Sequence, residues 1–217
     1  MEGTDDESSR PAPRVLSMVA HVLERLVSRN ELVAAAAEYR PAAGRGLEGF
    51  CGSRAPSIGI GSYLERIHRL AGCSPSCFVV GFAFIDRAAH RRPGSMVASL
   101  NVHRLILTSV LVASKVLDDT HQNNAFYARV GGVSNLELNR LELELLFLLD
   151  FEVTLSLRTF ESYCLHLEKE TMMCDGGAAH MKIERPIIPA DGSRQLHRSA
   201  DNIQKIGTSL PTTATPA

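Results

Sequence analysis

Tryptophan is absent from the 217 residues, and tyrosine and phenylalanine bring the aromatic share to only 6%. Aliphatic side chains must therefore fill any core, a constraint that leucine-rich helices meet. Charge of one sign is lacking too. With 24 acidic against 23 basic residues, the formal net charge is −1, so no strong field concentrates the chain on nucleic acid or an anionic membrane, and neither is expected as a partner. The five cysteines are odd in number and have no framework spacing, and MEGTDDESSRPAP is acidic where a secretory signal is basic and then apolar. An intracellular protein with reduced thiols is expected. Long apolar runs are missing as well: the longest charge-free stretch, Leu70 to Ile85, contains Gly72 and Pro75 and falls short of the roughly 20 apolar residues that span a bilayer.

What is present is helical periodicity. Residues 1–13 are rich in Asp, Glu and Ser and hold two prolines, a composition read as disordered. From Arg14 to about Tyr39, apolar residues such as Val15, Val19, Val22 and Leu26 recur at spacings of three and four, which predicts a flanking amphipathic helix. Pro41, Pro56 and the glycines from Gly44 to Gly61 break the period and predict a linker or irregular strap, closing a flanking region of 14–57. Ser62 with Glu65 reads as a capping box that opens a helix over Tyr63 to Leu70. Ser74 then precedes Pro75 at the first helical position of the next, which Pro93 and Gly94 stop. The stretch from about Ser99 to Asp118 is apolar nearly all round and is expected as the central helix. A short turn of helix near Ala125 to Val130 ends at Gly131 and Gly132. Ser134 and Glu137 make a second capping box before a leucine-rich helix, and Arg158 to about Glu170 forms the last. The fold class is all-α, a single five-helix box over 58–170 built around the apolar helix, with a flexible tail over 171–217.

Metal and catalytic motifs are sparse. Glu65 and His68 form a single E-x-x-H, where a di-metal bundle needs two such pairs and two further glutamates. Cys73 and Cys77 stand at C-x3-C with no second pair at zinc-finger distance, and read as buried thiols. Gly59 and Gly61 precede a helix without the third glycine or the Lys-Ser ending of a phosphate loop. No cofactor, metal or catalytic residue is expected, and an enzyme is not. Two charges stand out. Lys115 ends the most apolar helix, where a cation suits the helix C-terminus. Glu142 is set into RLELELLFLL, where the polar stripe is narrow.

Four segments together resemble the cyclin box, most closely that of the plant U-type (P-type) cyclins, which are similar to the yeast phosphate-signalling cyclins: SYLERIHRLAGCSPSCFVVGFAFIDR, LNVHRLILTSVLVASK, NNAFYARVGGVSNLELNRLELELLFLLDF and the helix around Tyr163. The resemblance covers residues 14 to 170. It implies a noncatalytic subunit, nuclear or cytoplasmic, that binds a cyclin-dependent kinase with a PSTAIRE-like helix and positions the kinase C-helix, in cell-cycle or nutrient and phosphate signalling. It assigns kinase contacts to Lys115 and Glu142, an acidic contact to Asp118 and apolar ones to Val116, Leu146, Phe151 and Val153. Asp86 and Arg87 take structural roles. An M-R-A-I-L substrate patch is not matched: Pro56 to Ile60 stand at its positions, with Ser57 for the arginine. Asp86 usually pairs with that arginine, and Arg66 or Arg69 is expected to replace it. Ala88 and Ala89 stand where relatives carry bulkier residues, which implies looser packing there. A kinase-independent adaptor in a transcription complex is the alternative function.

Overall fold

The computed structural model describes residues 12–36, 46–92, 94–172 and 183. The expectations for residues 1–11, for the linker at 37–45, for the stop at Pro93 and for the tail beyond 172, Ile183 apart, lie outside these residues.

Seven α-helices and one 3-10 turn make up the described chain, with no strand among the described residues. They are α1 (Arg14–Ala36), the turn (Leu47–Phe50), α2 (Ile60–Ala71), α3 (Pro75–Arg91), α4 (Val102–Leu117), α5 (Asn124–Gly131), α6 (Asn135–Leu148) and α7 (Leu157–Met172). The all-α reading holds, but residues 58–170 carry six helices, α2 to α7, one more than a five-helix box.

α4 is central. Every residue from Leu105 to Ser114 is buried, as its lack of a polar face requires, and it packs against α2, α3, α5 and α6. Of the three hydroxyls inside that run, two are bonded within the helix, Thr108 donating to the Arg104 carbonyl at 2.8 Å and Ser114 to that of Leu111 at 2.9 Å, while Ser109 Oγ is buried with no partner among the described residues. α3 lies closest to α4, because Gly81 removes a side chain at the crossing: a Cβ there would sit 3.3 Å from the Val110 nitrogen and 3.2 Å from its Cγ2. Ala88, one of the two alanines expected to pack loosely, is fully buried, and Ala89 is half-buried. α1 covers α2, α3 and α7 with the stripe Val15, Val19, Val22 and Leu23. Beyond α7, Ile183 is buried and its N–H donates to the Glu168 carboxylate at 2.7 Å.

Two helix starts differ from the sequence reading. α2 begins at Ile60 with Gly59 as its N-cap and no capping side chain, so Ser62 lies inside the helix. Burial decides this: Ile60, Tyr63, Leu64 and Ile67 form one buried stripe, and placing Ile60 on it draws the start back past Ser62. At α6 only half of the box forms. Ser134 accepts from the Glu137 N–H at 3.0 Å, but the Glu137 carboxylate turns to Arg104 Nε at 2.7 Å and ties α6 to α4. Ser74 and Pro75 stand where expected, although the Ser74 hydroxyl makes no capping bond. The glycine-rich stretch also differs from a plain strap, because Leu47 and Phe50 of the 3-10 turn are fully buried against α4 and α6.

Candidate functional site

Lys115 occupies the last turn of α4, where a cation meets the negative end of the helix dipole. Its Nζ lies 2.5 Å from Glu142 Oε1 on α6. The other carboxylate oxygen, Oε2, accepts from Asn124 Nδ2 on α5 at 2.6 Å, and that amide nitrogen is also 2.7 Å from Asn139 Oδ1. Both charges are largely sheltered, with side-chain exposures of 15% for Lys115 and 7% for Glu142. Burial of that kind is tolerated because each charge is paired and both carboxylate oxygens have donors. The structure thus brings together the two charges that stood out in the sequence, and adds Asn124, whose role nothing in its sequence neighbourhood signals.

The other nominated residues divide. Asp118 caps α4, and its Oδ2 accepts from the Ser74 N–H at 3.2 Å and from the Cys77 thiol at 3.3 Å, so it joins the end of α4 to the start of α3. Val116, Leu146 and Val153 are buried within the chain, with 8%, 6% and 3% exposure. Phe151 is open at 48%. Its ring packs edge-on to Phe147 at 5.2 Å, and Phe147 is itself 54% exposed and Leu143 50%. Asn139, Leu143 and Phe147 follow one another at four-residue steps, so this apolar face of α6 adjoins the polar cluster at Glu142. Sequence reasoning missed Leu143 and Phe147, because a helix reading RLELELLFLL does not disclose which of its apolar residues face out.

The turn after α6 sets the direction of Phe151. Asp150 and Phe151 have positive φ, 50° and 59°, a region costly for residues with side chains and held only by surrounding contacts. The contacts come from the end of α3. Arg91 pairs with Asp150 at 2.6 Å and also with Glu152. Arg87 donates to the carbonyls of Glu152 and Thr154 at 3.3 and 3.4 Å. Asp86 meets neither arginine expected for it: Tyr163 donates to its Oδ2 at 2.8 Å and His90 lies 3.2 Å from Oδ1, while Arg66 donates its Nε to the Val130 carbonyl at 2.9 Å. The unmatched substrate patch falls on the approach to α2, where Ile60 is buried and the Ile58 carbonyl accepts from His103 Nε2 at 2.8 Å.

Among the described residues, no group of three or more His, Cys, Asp or Glu side chains is arranged to hold a metal ion, and Glu65 and His68 gain no further ligand. No helix among them is long and apolar enough to cross a membrane.

A family model described as Cyclin matches residues 13–153. Cyclin-U1-1 of Arabidopsis thaliana is 58% identical over 173 residues, covering 80% of this chain and 81% of its own length. Cyclin-P1-1 of Oryza sativa subsp. japonica is 60% identical over 161 residues, 71% of this chain and 61% of that protein. Cyclin-P3-1 of the same rice is 46% identical over 180 residues, covering 83% and 71%. The chain therefore belongs to the cyclin family, whose members are regulators of cyclin-dependent kinases rather than enzymes themselves, and its similarity is to the plant U- and P-type cyclins.

Proposed function

We propose that this chain docks onto a cyclin-dependent kinase carrying a PSTAIRE-like helix and holds the kinase C-helix in its active position. The observation that carries the reading is the Lys115–Glu142 pair, assembled at 2.5 Å beside the exposed Leu143, Phe147 and Phe151. A polar pair fixed in advance sets register at little ordering cost, and open apolar side chains next to it supply affinity. Phosphoryl transfer needs the C-helix glutamate paired with the β3 lysine, so a module that holds that helix inward regulates the kinase without touching substrate. Shifting a kinase from almost wholly inactive to almost wholly active takes about 5.5 kcal/mol of differential binding. At ~25 cal/mol per Å², about 220 Å² of apolar surface buried only in the active state matches that before ordering costs. Through the yeast phosphate-signalling cyclins that its U-type relatives resemble, the complex belongs to cell-cycle or nutrient and phosphate signalling.

Pulldown against a panel of cyclin-dependent kinases tests this, comparing the wild type with Lys115→Glu and Glu142→Arg. The proposal expects at least one kinase to be captured by the wild type and lost by both variants. Retention by both, in folded protein, overturns it and favours a kinase-independent adaptor.

A further inference from the structure

Asp150 and Phe151 are the only residues other than glycine with positive φ among the described residues. The first is accounted for locally. The Asp150 N–H donates to the Phe147 carbonyl at 3.2 Å and that of Phe151 to the Leu146 carbonyl at 2.8 Å, the paired bonds with which a helix ends on one left-handed residue. Asp tolerates that conformation, since its side chain is short and polar. Phe151 is a second left-handed residue that such an ending does not require, and a bulky side chain there is an outlier. Ring burial does not hold it, because the ring is 48% exposed and its neighbour Phe147 is exposed too. Buried Leu149 before the turn and buried Val153 after it fix the flanks, but fixed flanks still leave the dihedrals between them free to vary.

What grips the turn is the end of α3. Arg91 is the final residue of that helix, and its guanidinium brackets Phe151: Nη1 lies 2.6 Å from Asp150 Oδ2, and Nη2 pairs with Glu152 Oε2. One rigid fork therefore holds the residues immediately before and after Phe151, which restricts the backbone between them. Arg87, one turn back on α3, donates to the Glu152 and Thr154 carbonyls and holds the exit from the turn. The Arg91 side chain is 31% exposed, and those of Asp150 and Glu152 are 74% and 66% exposed. Ion pairs this open add little to global stability. A clip that contributes little to the fold, yet brackets one exposed aromatic residue, has its effect on where that residue stands.

We infer that Arg91 is a positioning residue for kinase docking: it clips the turn after α6 so that the Phe151 ring stays beside Phe147, and it acts on the kinase only through that ring. Arg87 supports the same turn from behind. The consequence for docking rests on the function proposed above; the clip itself does not. A chain with Phe151 preset binds without first selecting that conformation, while a chain that holds it part of the time loses affinity in proportion to the fraction. With the clip removed and the turn correct about one-fifth of the time, affinity falls about fivefold.

A double-mutant cycle on the full chain tests the inference, with affinity for the kinase captured by the wild type measured by calorimetric titration for Arg91→Gln, Phe151→Ala and both together. Arg91→Gln is expected to lower affinity about fivefold, and to lower it no further once Phe151 is replaced. The melting temperature should move by no more than about 3 °C. Arg91→Lys keeps the charge without the fork and should recover only part of the loss; full recovery would show that charge alone suffices and overturn the fork. Asp150→Asn with Glu152→Gln removes the same clip from its acidic end and should reproduce the loss, which keeps the test decisive if Arg91→Gln does not fold. In the free chain, hydrogen exchange at the Phe151 and Val153 amides should quicken in Arg91→Gln while that at Leu141 and Leu145 in α6 keeps its wild-type rate. A fivefold loss that persists in the Phe151→Ala background, or unchanged exchange at Phe151, overturns the inference. A wild-type chain that binds no kinase overturns the docking function instead, and the exchange rates still decide whether the clip exists.

Discussion

Asn124 donates to the oxygen of Glu142 that Lys115 leaves open, at 2.6 Å, so the carboxylate at the centre of the site is held by three helices at once. Removing that donor leaves a buried acceptor bare. Asn124→Ala is expected to lower stability by about 1–2 kcal/mol, read as a fall in the urea midpoint at unchanged slope. Asn124→Asp, which sets a second carboxylate against Glu142, should lower it further.

Phe147 separates docking from folding. Its side chain is 54% exposed and on the same face as Leu143, so Phe147→Ser should change stability by no more than about 0.5 kcal/mol. An interface residue of this kind typically contributes more than about 1 kcal/mol to binding when central, so affinity for the kinase should fall roughly tenfold. Calorimetric titration beside a thermal melt reads both.

His103 makes the fold sensitive to acid. Its Nε2–H donates to the Ile58 carbonyl at 2.8 Å, its ring packs edge-on to Tyr63 at 5.0 Å, and its Nδ1 is buried with no partner among the described residues. Burial holds its pKa below the ordinary 6.5, because a proton on Nδ1 would add an unpaired buried charge. The unfolded chain therefore binds more protons than the folded one in the window just under 6.5. The contribution of His103 is fully present above that value and is lost as pH falls through the lower, folded value. His68 acts in the opposite sense: its pKa is raised by the Cys73 hydrogen bond, so its contribution is present at low pH and is lost as pH rises through the folded value. Urea unfolding at pH 7.5 and 5.5 should show a smaller acid loss for His103→Gln than for the wild type.

Much of the fold was legible because α1, α3, α4 and α6 each declare themselves through apolar spacing and an end signal such as Pro75 or Ser134. The start of α2 was not, because a polar S-x-x-E pattern and a buried Ile60 competed and burial prevailed. The burial of Phe50 was hidden among glycines and prolines, where period carries no information. At the site, Lys115 and Glu142 were legible as lone charges in leucine-rich helices. Their contact at 2.5 Å depends on how α4 and α6 pack, which no local pattern encodes. The pairing of Asp86 with Tyr163 and His90 was hidden for the same reason: the partners lie 77 residues away on α7 and one turn along α3.

Exchanging the two charges tests the account most directly. Lys115→Glu alone leaves two carboxylates together in a sheltered place and should cost about 3–5 kcal/mol of stability, whereas Lys115→Glu with Glu142→Lys should recover most of it. Kinase affinity of the folded double variant, measured by calorimetric titration, should remain at least about tenfold below wild type, because the pair would face the kinase helix with its polarity reversed. Wild-type affinity in the double variant would show that the pair serves the fold alone, and would contradict the account.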